Sequence, residues 1–405
     1  MSHPPPPTNP GPRKDLPALT GLRFFAAFHV VLFHTHGLLG APLPAGWSSL
    51  VAGGHHAVTL FFVLSGFVLH HTYQTTDWSR PGELGRYAIH RFARIYPLYL
   101  LSAVVDAPRA ISFFEATYPA ATAWFKILVS GTAYLSLTQT WLPRLASAWN
   151  PPGWSLSNEA FFYLLLPWML PALSRLDHRR TTLALGLAAA GAGLGPWLAH
   201  QTITLLEASP VVWIPFASVF PPLRVFEFAF GVLLGRWFTL NRTPLARLSA
   251  VSAGTGAAAG LVGVAILTSV PILPEAIGQT GILLPAQGVL ILFLALGNHP
   301  IGRLLAWGPI RFLGGASYAI YLLHLPLFVY FRNAIYRASW APSPEAFAAY
   351  LLVVVATAAL VFRGYEEPLR RFIRRRWTSA SPSVEPGPPP PPPIPPPDKS
   401  KSPPG

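Results

Sequence analysis

Cysteine is absent from all 405 residues, which excludes disulfides, thiolate metal sites and cysteine nucleophiles together. That absence leaves the redox compartment open. Charge is scarce as well: Asp, Glu, Lys and Arg make up 11% of the chain, where a soluble domain carries about a quarter. With 52% hydrophobic residues and a mean hydropathy of +0.42, lipid has to cover much of the surface. Acids are the scarcer sign, 15 against 29 Lys and Arg, for a formal charge of +14. The arginines fall in short clusters between apolar runs and form no single stripe, so they read as positive-inside loops and not as a nucleic-acid footprint. No convincing small-residue cleavage site follows Arg13 and Lys14, so the first apolar run reads as an uncleaved span. No convincing internal repeat is visible either.

Three regions follow from the composition. Residues 1–15 and 378–405 are polar and proline-rich, the second with the run Pro388–Pro393. Neither holds enough apolar surface to fold, so both are expected to be disordered with local polyproline II character. Residues 16–377 form the membrane-embedded region. Ten spans are predicted there, near 17–37, 57–73, 92–107, 155–173, 181–199, 222–240, 247–269, 279–297, 311–331 and 346–364, each about long enough for a hydrocarbon core of roughly 30 Å. The fold class expected is thus all-α, a polytopic bundle of about ten transmembrane helices. Segment 122–142 is apolar but broken by Gly131, Thr132, Ser136, Thr138, Gln139 and Thr140. Loop charge arbitrates. Arg80/Arg86/Arg91/Arg94, Arg175/Arg179/Arg180, Arg236/Arg242/Arg247, Arg303/Arg311 and the Arg370–Arg376 cluster all fall on the cytoplasmic side only if 108–154 begins and ends outside. Segment 122–142 is therefore expected to be re-entrant or interfacial. Both termini are placed in the cytoplasm, and the protein in the cytoplasmic membrane.

Charged and ionisable residues inside the spans are the candidates for chemistry, because a charge in hydrocarbon costs a few kcal/mol or more and normally faces a polar interior. Arg23 and His34 lie in the first span, about three helical turns apart and therefore on one face at two depths. A plain helix–helix hydrogen-bonding pair is the alternative. Glu159 sits about two turns below the outer surface, Arg224 and Glu227 share a face at i, i+3, and His324 precedes Pro326, which is expected to kink its helix. Four helices thus bring His34, Glu159, Arg224/Glu227 and His324 to similar outer-half depth, which suggests a shared polar chamber. At the cytoplasmic end, Arg91 and Arg94 stand one turn apart, and arginine forks suit phosphate oxygens; the positive-inside rule alone would also explain them. The adjacent pairs His55/His56 and His70/His71 point about 100° apart on a helix and suit interfacial anchoring better than a shared metal. No metal site is expected. Gly66 in Phe61-Phe-Val-Leu-Ser-Gly reads as a point of tight helix packing.

Taken in order, the motifs resemble those of the acyltransferase 3 family of integral-membrane acyltransferases. Arg23 and His34 match its Arg-x10-His signature on the first helix. Phe61-Phe-Val-Leu-Ser-Gly-Phe67, Arg91-Phe-Ala-Arg-Ile-Tyr-Pro97, Trp154-Ser-Leu-Ser-Asn-Glu159, Arg224-Val-Phe-Glu-Phe-Ala-Phe-Gly231, Ser317-Tyr-Ala-Ile-Tyr-Leu-Leu-His324 and Glu367-Pro368 follow in the family's order, over residues 16 to about 377. Two departures stand out. Many members have Asp where this chain has Thr20 and Thr59, and many continue into an extracytoplasmic hydrolase-like domain where this sequence has a proline-rich tail.

The resemblance implies O-acyl transfer, most often of acetyl, from cytoplasmic acyl-CoA (a co-substrate, with no permanently bound cofactor) to a hydroxyl at the outer face. Exopolysaccharide, lipopolysaccharide, a peptidoglycan-linked glycan and a macrolide-like metabolite are all compatible acceptors. On that reading Arg91 and Arg94 hold the donor's phosphates and Arg23 lies along the path. His34 is the general base or the site of transient acylation, with Glu159 orienting it or holding the acceptor. Arg224, Glu227, His324, Ser317 and Tyr318 line the acceptor pocket. Two readings from other classes remain: a proton-coupled transporter or glycan-precursor flippase using His34, Glu159 and His324 as a relay, and a scaffold acting through the proline tail. The missing repeat weighs against the first.

Overall fold

A backbone that crosses lipid finds no water for its N–H and C=O groups, so each apolar run has to satisfy them internally as helix. The computed structural model describes residues 15–40, 42–44, 46–269, 279–338 and 341–378, and among these it is all-α without a strand. The expected disordered tails, with Arg13, Lys14 and Pro388–Pro393, fall outside the described residues apart from their innermost positions. The chain runs through α1 (Pro17–Thr35), α2 (Trp47–Ala52) and α3 (Ala57–Tyr73), then α4 (Glu83–Thr117), α5 (Ala120–Leu135) and α6 (Trp154–Ser174). α7 (His178–Leu205), α8 (Pro210–Val219), α9 (Pro221–Leu240), α10 (Arg242–Ala246) and α11 (Ala250–Ser269) follow. The last group is α12 (Gln279–Leu296), α13 (Pro300–Leu305), α14 (Gly308–Gly315), α15 (Ser317–Arg337), α16 (Pro344–Val361) and, across a π-helical turn at Phe362–Glu366, α17 (Glu367–Thr378).

A helix stands at each of the ten predicted spans, but not all are crossing helices by length and composition. Six helical stretches among the described residues qualify: Pro17–Leu38, Trp47–Tyr73, His178–Leu205, Pro210–Leu240, Ala250–Ser269 and Pro344–Trp377. The bent pair α14–α15 makes a seventh. The reason is chemical. α4 carries Arg91, Arg94, Asp106 and Arg109, and α6 carries Asn158 and Glu159, so their mean polarity hides an otherwise apolar run. The apolar part of α12 among the described residues is Gly281–Leu296. Asp106 and Arg109 neutralise each other through a two-pronged pair of 2.7 and 2.6 Å.

The 122–142 segment forms α5 and a turn. Its 16 residues reach about 24 Å, short of a crossing. Trp124, Phe125 and Leu128 are exposed while Ala123, Ile127, Ser130 and Tyr134 are buried, the two-faced pattern of a helix packed on one side only. The following loop is tied down by buried polar groups: Gln139 Nε2 donates to Tyr99 OH (2.9 Å) and to the Gly153 carbonyl (3.0 Å).

Helix α1 packs on α3, α14 and α15, and α3 packs on α9. The α3–α9 crossing is set by two glycines facing each other's backbone. A Cβ on Gly66 would come 2.2 Å from the Phe228 carbonyl oxygen, and one on Gly231 would come 2.1 Å from that of Val63. Only a residue without Cβ permits that approach. Pro326 sits inside α15, which runs on to Arg337, and the sharp 59° bend falls at the α14–α15 junction. Proline frees the carbonyl four residues back; here that is Leu322, and Asn150 Nδ2 donates to it at 2.8 Å.

Candidate active site

A cavity of about 570 Å³ opens among α1, α3, α4, α6, α15 and α17. Its wall includes Arg23, Glu159, Arg91, Arg94, Ser317 and Tyr318, six of the ten residues singled out from sequence. At its far end the wall reaches Phe61 and Tyr321, whose rings meet edge-on with centroids 5.9 Å apart.

Each polar group in the wall has an identifiable anchor. Ser65 Oγ donates to Glu159 Oε1 at 3.1 Å, from the helix whose close approach Gly66 secures. Ser317 Oγ donates to the Gly314 carbonyl (2.8 Å) at the α14–α15 bend, and Tyr318 OH donates to the Ile95 carbonyl (2.6 Å). The two arginines of α4 differ in their surroundings. Arg91 lies 5.6–6.0 Å from the ring centroids of Tyr73, Tyr87 and Tyr163, which stabilises the cation without cancelling its charge. Arg94 is bonded to Glu366 at 2.6 Å and lies 5.4 Å from the Tyr318 ring.

His34 and His324 are not in the cavity wall. They form a pair one helical turn beyond Tyr321, with His324 Nε2 3.0 Å from His34 Nδ1. His324 is fully buried and His34 exposed. Their neighbours settle the tautomers, since a carbonyl oxygen only accepts. The Tyr321 carbonyl lies 2.7 Å from His324 Nδ1, so that nitrogen carries the proton and Nε2 of the neutral ring is an acceptor. The Val30 carbonyl lies 3.1 Å from His34 Nδ1, so this nitrogen is protonated too, and it donates to His324 Nε2 as well. The two assignments agree. They leave a bare lone pair on His34 Nε2, the atom a general base needs.

Arg224 and Glu227 occupy a third place. Their ion pair of 3.1 Å is buried behind the cavity wall, with the guanidinium 5.5–5.6 Å from the rings of Phe62 and Trp154 and 3.4 Å from Thr59 Oγ1. The chamber expected from sequence is thus divided into a cavity, a histidine pair and a buried ion pair. Depth along each helix was readable; the side of the helix facing each neighbour was not.

Sequence reading passed over the tyrosine cage of Arg91, the partner Glu366, and Arg370 and Arg374, both in the cavity wall. The Arg370–Arg376 cluster was explained by loop charge alone. Its i, i+4 rows, Arg370/Arg374 and Arg371/Arg375, were the signal that two different faces were being served.

A family model described as an acyltransferase domain matches residues 16–363. The chain is 29% identical over 410 residues to the acyltransferase MdmB of Streptomyces mycarofaciens, covering 92% of this chain and 97% of that protein. It is 25% identical over 385 residues to the peptidoglycan O-acetyltransferase OatA of Listeria monocytogenes, covering 89% of this chain and 56% of that one. To nodulation protein 10 of Rhizobium leguminosarum bv. viciae it is 27% identical over 231 residues, 52% of this chain and 57% of that protein. It therefore spans nearly all of the first relative and a little over half of the other two. No solved structure matches it.

Proposed function

The chain belongs to the acyltransferase 3 family and is a multi-pass membrane acyltransferase; from that premise we propose that it moves an acyl group, acetyl in the simplest case, from cytoplasmic acyl-CoA to a hydroxyl of a glycan or small-molecule acceptor at the outer face. The observation that carries the reading is the alignment of two sites. An arginine-walled cavity suited to an anionic donor ends one helical turn short of a histidine whose Nε2 is set up as a base.

Donor phosphates rest at the end walled by His90, Arg91, Arg94, Arg370 and Arg374, with the acyl arm running past Arg23 and Glu159. The rings of Phe61 and Tyr321 belong to the cavity wall and meet edge-on, and the acyl end passes them to reach the base. His34 Nε2 takes the proton of the acceptor hydroxyl as its oxygen bonds to the thioester carbon. The carbon–sulfur bond then breaks and coenzyme A leaves as the thiol, carrying the proton that His34 returns. A base at this point contributes about 100- to 10,000-fold, because the hydroxyl's proton is held far too tightly to leave unaided. The peptidoglycan O-acetyltransferase among the relatives supports a glycan hydroxyl as the acceptor class. The membrane is taken to be the cytoplasmic one, with both termini inside.

His34→Ala in liposomes supplied with labelled acyl-CoA and a glycan extract tests the assignment. The variant is expected to insert normally and to lose transfer by about 100-fold or more; turnover near wild type would end the assignment. Movement of unlabelled, unmodified acceptor would favour transport over transfer.

A further inference from the structure

Past Glu159 the cavity changes character. Its arginines mark one end: Arg91 stands over the Tyr163 ring and Arg94 over that of Tyr318. One turn along α6 from Tyr163, Glu159 accepts a hydrogen bond from Ser65, which sets α3 and α6 at one level. Further from the arginines the wall turns apolar. Val58, Phe61 and Phe62 of α3, Leu156 of α6 and the ring of Tyr321 enclose this end. From Ser65 to Val58, α3 spans about 10 Å.

The polar atoms here are already used. Ser155 Oγ donates to the Pro152 carbonyl at 3.1 Å, and Tyr321 OH donates to the same oxygen at 3.1 Å. The Phe62 ring covers the Arg224 guanidinium, whose carbon lies 5.5 Å from its centroid. A hydroxyl-rich acceptor would lose its hydrogen bonds in such a place, and apolar space holds water poorly. An alkyl chain gives up nothing by entering and gains about fourfold in affinity per buried methylene. Width is limited: Val58, Phe62, Leu156 and Tyr321 leave only 2–6% of their surface exposed, so the space is a slot for a single chain. Depth is not. Acetyl has one methyl to set against about 10 Å of apolar wall.

We propose that this slot receives the acyl chain of the donor, and that the preferred chain is unbranched and longer than acetyl, about four to six carbons. The proposal rests on the donor reading given above and deepens it by naming the acyl class. Leu156 and Phe61 are its specificity-determining residues: a larger side chain at 156 fills the slot, and a smaller one at 61 widens it.

Competition against radiolabelled coenzyme A, on the full-length protein in nanodiscs, reads the affinities of acetyl-, butyryl-, hexanoyl-, decanoyl- and 2-ethylbutyryl-coenzyme A. Affinity is expected to rise about tenfold or more from acetyl to hexanoyl and to gain nothing further at decanoyl. The 2-ethylbutyryl thioester, a branched isomer of hexanoyl, should bind more weakly than hexanoyl. Leu156→Trp is expected to cut the hexanoyl-to-acetyl ratio about tenfold, whereas Leu164→Trp, on the exposed side of the same helix, should leave that ratio alone. Should Leu156→Trp fail to fold, Phe61→Leu is expected to bring the branched isomer up to the level of hexanoyl. A wild type that binds acetyl as tightly as hexanoyl overturns the proposal. So does affinity that keeps rising to decanoyl, or a preference that neither variant moves, because the chain would then lie in lipid. No binding of coenzyme A or of any thioester sinks the donor reading itself, and the proposal with it.

Discussion

Which nitrogen of an imidazole carries the proton decides whether it can act as a base, and in a helix the decision falls to whatever its other nitrogen touches. His34 was legible from its eleven-residue distance to Arg23. Its orienting partner was not, because His324 lies 290 positions away and no spacing rule links the two. His324→Phe removes one of the two acceptors for His34 Nδ1–H and leaves only the carbonyl of Val30 on its own helix. It is expected to lower the transfer rate about 10- to 100-fold with little change in KM for the donor, since a misaimed base loses transition-state contacts and not binding. His324→Gln, which keeps an acceptor, should restore part of the rate in steady-state assays. A common loss in both variants would mean that the ring itself touches substrate.

Glu227 poses the opposite question. Removing one partner of a buried ion pair strands the other, at about 3–5 kcal/mol, while replacing both with apolar groups costs little. Glu227→Ala should therefore melt well below wild type, and Arg224→Met/Glu227→Leu should recover most of the loss, read by size exclusion after heating. A double variant that melts like wild type but transfers nothing would put the pair in the acceptor pocket.

Helix crossings come next. The α3–α9 contact depends on Gly66 and Gly231 (a Cβ at either would meet backbone oxygen, which cannot rotate away). Gly66→Ala is expected to destabilise by about 1–3 kcal/mol or more, whereas Gly186→Ala, with nothing within 4 Å, should be neutral or slightly stabilising by melting. The consequence reaches the site, since Ser65, next to Gly66, holds Glu159. Tight packing at Gly66 was readable from its small size in an apolar run. The persistence of α15 past Pro326 was not, because it depends on Asn150 answering the freed Leu322 carbonyl. The sorting of α17 into two arginine rows likewise needed the π turn, which leaves no mark in composition.

Orientation in the bilayer belongs to the chain taken together. Since it has no cysteine, any introduced thiol is a unique probe. Gly37→Cys, just past the C-terminal end of α1, should react with a membrane-impermeant maleimide in intact cells if both termini are cytoplasmic; Ser79→Cys, between α3 and α4, should then react only after permeabilisation. The reverse pattern would invert the topology and move His34 to the cytoplasmic face.

Hydrophobic runs, loop arginines and intramembrane charges were enough to establish a polytopic helical membrane protein and to name most of its polar candidates, because burial in lipid punishes polar residues wherever they lack a reason to be there; the acyltransferase family was read from the ordered motifs. How those candidates divide among cavity, histidine pair and buried ion pair came from helix rotation and from contacts between residues hundreds of positions apart. Those depend on backbone approach distances and on single hydrogen-bond partners, to which the hydropathy of a segment is blind.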